Sequence, residues 1–194
     1  MVGRPIDHQR RAQLLDAVVE YTIANGLAEL SLRPAASALG VSTATLVHHF
    51  GTKEQLLQAV LARLRERILQ STTHALGEQH DLATAARAVW KRTSDRSRAD
   101  EFRLFFAVYG RALQAPDEFE VFLEHVVADW RSALETAQPP TTDRATATRR
   151  ATLVIATIRG LLLDLLATGD HERVQEAAEG FFQTLESRRR SDSA

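Results

Sequence analysis

Leu39-Gly40-Val41-Ser42, running on through Thr43-Ala44-Thr45-Leu46-Val47-His48-His49-Phe50-Gly51, reads as two short helices joined by a tight turn. Gly40 lets the chain leave the earlier helix with a positive φ, and Ser42 offers its hydroxyl as the cap of the next. Val41 plugs the corner between the helices. Ala35, Ala36 and Ala38 allow close approach, while Leu32, Leu39 and Leu46 supply a small core. This combination is a helix-turn-helix. Directly after it, Thr52-Lys53-Glu54-Gln55 has the form of a capping box and opens a long fourth helix with Leu56, Leu57, Val60, Leu61, Leu64 and Ile68 inward.

Upstream, Leu14, Leu15, Val18, Val19 and Ile23 recur at helical spacing, and Asn25-Gly26 ends that first helix. Ser31 is expected to cap the short second helix, with Pro34 tolerated in its first turn. Downstream, breaks are expected at residues 77–81, at the charged connection 94–101, at Pro116 and at the Pro139-Pro140 loop. They separate helices over residues 82–93, 102–114, 116–136, 144–168 and 170–189, followed by a frayed tail. No run alternates with the period of two that a half-buried strand requires. The fold class is therefore all-α, with about nine helices: a three-helix helix-turn-helix head and a larger helical body.

Composition narrows the functions. With 44% hydrophobic residues, the 194-residue chain can bury a substantial core. A formal net charge of -1 argues against coating nucleic acid or membrane by bulk attraction. The absence of cysteine excludes disulfides, thiolate nucleophiles and cysteine-based metal centres. The polar start carries no apolar leader, and the apolar window at 153–167 is interrupted by Arg159 and Asp164, so a cytoplasmic protein without membrane association is expected. There is no phosphate-cradling loop, metalloprotease signature or nucleophile elbow, and no cofactor is implied. His125 with Asp129, and Glu120 with Glu124, stand four apart on a helix face, but without a third ligand they read as surface pairs. No catalytic or metal residue is assigned.

Thr43, Ala44, Thr45, His48 and His49 are short or donor-bearing side chains that the third helix can present to base edges and phosphates. The elements Ala24-Asn25-Gly26-Leu27, Leu39-Gly40-Val41-Ser42, Thr45-Leu46-Val47-His48-His49-Phe50 and Gly51-Thr52-Lys53-Glu54-Gln55-Leu56-Leu57 resemble the amino-terminal domain of the TetR family of bacterial transcriptional regulators. The resemblance implies a DNA-binding domain over residues 1–53 and an effector-binding and dimerisation domain over residues 54–194. Arg33 and Lys53 resemble the family's phosphate contacts, and Ser42, Thr43, Ala44, Thr45, Val47, His48 and His49 fall on the DNA-reading segment. Val47 departs from the pattern, because the family commonly places a backbone-contacting Tyr there. Arg4, Arg10 and Arg11 are candidates for a basic arm.

In the body, helix 144–168 is apolar nearly all round and must be covered on more than one side. A homodimer through residues 144–168 and 170–189 provides that cover. Trp90, Phe105, Phe106, Tyr109, Phe122, His125, Trp130 and Arg159 are the candidates to line a pocket for a small, mostly hydrophobic effector. The implied function is a repressor that binds a palindromic double-stranded DNA operator and is released by that effector. The alternatives are a ligand-binding or scaffold protein with weakened DNA binding, and a helical enzyme.

Overall fold

The computed structural model describes residues 7–76 and 81–192. Arg4, residues 77–80 of the expected break and the end of the tail lie outside the described residues. Among the described residues there are nine α-helices, three short 3-10 turns and no strand. The helices are α1 (His8–Asn25), α2 (Leu32–Ala38), α3 (Thr43–Phe50), α4 (Lys53–Leu76), α5 (Leu82–Thr93), α6 (Ala99–Gln114), α7 (Glu120–Thr136), α8 (Arg144–Thr168) and α9 (His171–Asp192).

The sequence sets these ends through specific caps. Asp7, Ser42, Asp81 and Asp143 each accept a bond from a backbone N–H three residues on, opening α1, α3, α5 and α8. Thr52 and Gln55 close a reciprocal box at the start of α4: Thr52 N–H donates to Gln55 Oε1 at 2.9 Å, and Gln55 N–H donates to Thr52 Oγ1 at 3.3 Å. Ser31 behaves differently from expectation. It precedes α2, but its hydroxyl accepts no capping bond. Pro34 sits at the third helical position, where a capping hydroxyl commonly finds its donor, and proline has no N–H to give. α6 begins three residues earlier than the aromatic run suggested, with Asp100 and Glu101 in its first turn, where carboxylates favour the helix dipole. At Pro116 the chain makes a 3-10 turn (Pro116–Phe119) before α7 starts.

Two apolar clusters organise the packing. Leu14, Val18, Val19, Leu30, Leu46 and Phe50 bury together in the head, joined by Leu56 and Val60 from α4. The larger cluster spans α4 to α9 and includes Phe102, Phe105, Phe119, Trp130, Ile158 and Phe182. Ile23, Leu27 and Leu57 pack against both clusters, so the head sits on the body through apolar contact. α8 runs 25 residues and is long and apolar enough to cross a membrane by length and composition, which the shorter window read from the sequence was not. Here Val154, Ile155, Ile158, Leu162 and Leu165 are buried against the bundle.

Candidate functional site

α3 divides into two faces. Leu46 and Phe50 are buried in the head core, while Thr43, Ala44, Val47 and His48 are exposed and Thr45 and His49 are half-buried. Ser42 and Thr45 share a hydroxyl–hydroxyl bond of 2.8 Å, which orients both at the helix start. Arg33 on α2 and Lys53 at the start of α4 are exposed. Arg10 and Arg11 belong to α1, not to an extended arm. Arg11 donates from Nε to the His49 carbonyl at 3.1 Å, and its guanidinium lies 5.1 Å from the Phe50 ring centre. It therefore anchors the end of α3. Burial pushes the His49 pKa below its ordinary value, which keeps that ring neutral at neutral pH.

The turn after α3 tolerates little change. Gly51 has φ +74°, and a Cβ there would stand 1.9 Å from Gln55 Oε1, the atom that accepts from Thr52. Gly51→Ala is expected to cost about 1–2 kcal/mol, from left-handed strain and the displaced cap together. Urea unfolding would read the loss, and an unchanged midpoint would show that the cap can re-form.

α4 is tied to the head on one face and to the body on another. Arg63 bonds both Asp16 oxygens, at 2.8 and 3.0 Å, and Arg67 reaches Asp16 and Glu20 on α1 at 3.0 and 2.5 Å. The Arg63 guanidinium holds the Asp16 carboxyl below the usual carboxylate range. On the opposite side, Arg65 grips Asp129 of α7 with two bonds of 2.5 and 3.1 Å, and His125 Nδ1 stands 3.8 Å from the same carboxylate. Gln58 adds a bond of 2.9 Å to the Glu118 carbonyl. Beside the Arg65–Asp129 pair lies a narrow apolar cleft of about 20 Å³ between α4, α6 and α7. Leu64, Ile68, Phe105, Phe122, His125 and Trp130 are among its walls.

Residues 14–60, from α1 into α4, match the profile of the bacterial regulatory proteins, tetR family. The head is thus similar to the amino-terminal domain of TetR-family regulators. An HTH-type transcriptional regulator BetI from Burkholderia lata is 35% identical over 65 residues, 34% of this chain and 34% of that protein. The aligned stretch thus spans about a third of the length of that relative. Similarity of fold extends over nearly the whole chain. A transcriptional regulator from Rhodococcus sp. superposes with TM-score 0.75 at 24% identity, covering 90% of this chain and 95% of that one. The multidrug binding protein EbrR, solved in complex with imidazole, gives TM-score 0.66 at 26% identity over 92% of this chain and 90% of that one.

In the head, Thr43, Ala44, Val47 and His48 share the exposed face of α3, and Arg33 and Lys53 are exposed on the neighbouring helices. The body residues divide. Phe105, Phe122, His125 and Trp130 line the cleft, and Tyr109 and Arg159 stand directly behind Phe105 and Trp130. Phe106 is half-buried beside Phe105 at a centroid distance of 5.3 Å. Trp90 is elsewhere: it donates to Gln175 of α9 at 2.8 Å and borders a separate surface groove. Sequence reasoning missed Arg65 and treated Asp129 as a surface acid, yet the Asp129 side chain is only 16% exposed. The signal present was the four-residue spacing of His125 and Asp129. Nothing in the sequence paired Asp129 with a residue 64 positions upstream.

Proposed function

We propose that this protein is a one-component transcriptional repressor that binds a palindromic operator as a homodimer and lets go when a small organic molecule enters the α4–α7 cleft. The observation that carries the reading is the exposed face of α3, with Thr43 and His48 on it and Arg33 and Lys53 exposed on the helices either side in sequence, in a TetR-like head that α4 ties to a cleft in the body. Thr43, Ala44, Thr45 and His48 meet base edges, and Ser42, Arg33 and Lys53 meet phosphates. EbrR, described as multidrug binding, shares the fold along most of its length, which supports a body built to take an organic ligand. No residue of the cleft is assigned a catalytic role, and the working compartment is the cytoplasm.

The outer face of α8 supports the dimer. Leu153 and Leu163 are 42% and 53% exposed, and Ala156, Gly160 and Ala167 continue the same stripe at spacings of three and four. On α9, Ala177, Gly180 and Thr184 are exposed alongside. Gly160 and Gly180 lie within helices, where glycine costs about 1 kcal/mol relative to alanine, yet a Cβ at either would meet nothing in this chain within 4 Å. A partner helix in close approach explains them. Two heads one DNA turn apart then double the contacts, which a chain of net charge -1 needs.

Release follows from the size of the cleft. A drug-sized ligand needs about 300 Å³ or more, whereas the cleft has about 20 Å³, room for roughly one water. An effector therefore binds only if α4 and α7 separate. α4 carries the head with it through Arg63 and Arg67, so the effector favours a head spacing that mismatches the operator.

Val47 is 46% exposed on the DNA-facing side of α3 and cannot donate a hydrogen bond. Val47→Tyr is expected to leave the fold intact and to tighten operator binding about five- to thirtyfold, one added phosphate bond per head at about 0.5–1 kcal/mol each. Fluorescence anisotropy on a labelled operator duplex would measure it. A head that has lost its DNA role, as in a scaffold protein, would show no specific binding with either residue.

A further inference from the structure

Arg159 sits midway along α8, where its neighbours on the inward face are Ile155, Ile158 and Leu162. Its guanidinium lies 5.4 Å from the Tyr109 ring centre and 5.7 Å from those of Phe105 and Trp130. One Nη donates to the Val126 carbonyl, while Nε is buried without a hydrogen-bond partner. Among the described residues no carboxylate pairs with it. Arginine stays protonated, so this is a cation whose charge nothing nearby cancels. Burial pulls its pKa down, and Tyr109 only partly opposes that. A chain that merely needed to fill this space would be at least as stable with methionine.

Phe105, Val126 and Trp130, which enclose Arg159, also line the cleft, so the guanidinium stands one side chain behind its wall. At the cleft's mouth Arg65 and Asp129 cancel each other, and His125 faces Asp129. Glu124 adds an exposed carboxylate 3.9 Å from His125 on the outer side, so the positive charge left unpaired is the inner one, on Arg159. A cationic ligand would meet an aromatic box that already holds a cation, since Arg159 occupies it from within.

We infer that the effector is an organic anion, a carboxylate on an apolar body, with the carboxylate pairing to Arg159 as the aromatic wall turns aside. This rests on the cleft being the effector site. The body of such a ligand lies along Ile68, Phe105 and Phe122, and its carboxylate satisfies the orphaned Nε in the forked geometry that guanidinium offers.

The test titrates the full chain with phenylbutyrate, its amide and phenylbutylammonium, following binding by calorimetry. Phenylbutyrate is expected to bind at least about tenfold more tightly than the other two. Arg159→Met should lower phenylbutyrate affinity about tenfold or more, leave the amide's affinity unchanged, and melt no lower than the parent. Arg159→Lys should keep part of the affinity. If the ammonium or the amide binds as tightly as the acid, and Leu69→Trp, at another residue that lines the cleft, abolishes that binding, the cleft stands and the anionic effector is wrong. If none of the three binds, or binding survives Leu69→Trp, the cleft reading itself falls and the inference with it. A sharp drop in the melting temperature of Arg159→Met with phenylbutyrate affinity unchanged would make Arg159 a structural residue and overturn the inference.

Discussion

Leu163→Glu is expected to convert the proposed dimer to a monomer and to reduce operator affinity by more than about a hundredfold. Leu163 is 53% exposed in the single chain, so the change leaves the protomer's own core untouched. In a four-helix interface it would bury a carboxylate from each protomer on the apolar stripe that Leu153, Ala156 and Ala167 share with it. Burying an unpaired charge costs several kcal/mol, more than a modest interface can absorb. Each head alone keeps half of the contacts, and a symmetric operator then loses the gain of binding both half-sites at once. Light scattering should report half the mass of the parent at micromolar concentration, with unchanged far-UV circular dichroism. A Leu163→Glu protein that remains dimeric would move the interface away from α8.

The second large effect is expected at Arg65. Arg65→Ala removes both bonds to Asp129 and leaves that carboxylate, 16% exposed, with only His125 close by. The loss should be about 1–3 kcal/mol of stability, at the lower end because the Arg65 side chain is itself a third exposed. The functional effect should be larger in kind. With α4 unpinned from α7, the released arrangement becomes populated without effector, and operator affinity falls about tenfold, while the remaining response to effector shrinks. Anisotropy titrations with and without effector would separate these. Unchanged affinity with full release would mean that coupling does not pass through this pair.

The head was legible because its determinants are local. Gly40, Ser42, Gly51 and the Thr52–Gln55 box act within a few residues, and each leaves a mark in the sequence that backbone geometry then honours. Ser31 escaped because one short-range rule was overridden by another: Pro34 removed the donor that the cap needed. The body's helices were legible from apolar periodicity, but the cleft was not, since it depends on which faces of α4, α6 and α7 meet. Phe105, Phe122, His125 and Trp130 converge there, while Trp90, equally aromatic, faces α9. Arg65 and Asp129 join across 64 residues, a distance over which no spacing rule operates. Arg159 stood out on an apolar helix, but only the fold shows that three rings pack against it and that no acid among the described residues pairs with it.

Operator binding followed as a function of salt distinguishes a dimeric DNA-binding repressor from a scaffold protein. Duplexes selected from random sequence by the full-length protein would be titrated at several salt concentrations, with stoichiometry read in the same assay. A dimeric repressor is expected to give a palindromic consensus, two chains per pair of half-sites, and an affinity that falls steeply with salt, as when about six or more phosphates are neutralised. Enrichment of no common sequence, or binding by a single chain with little dependence on salt, would contradict it.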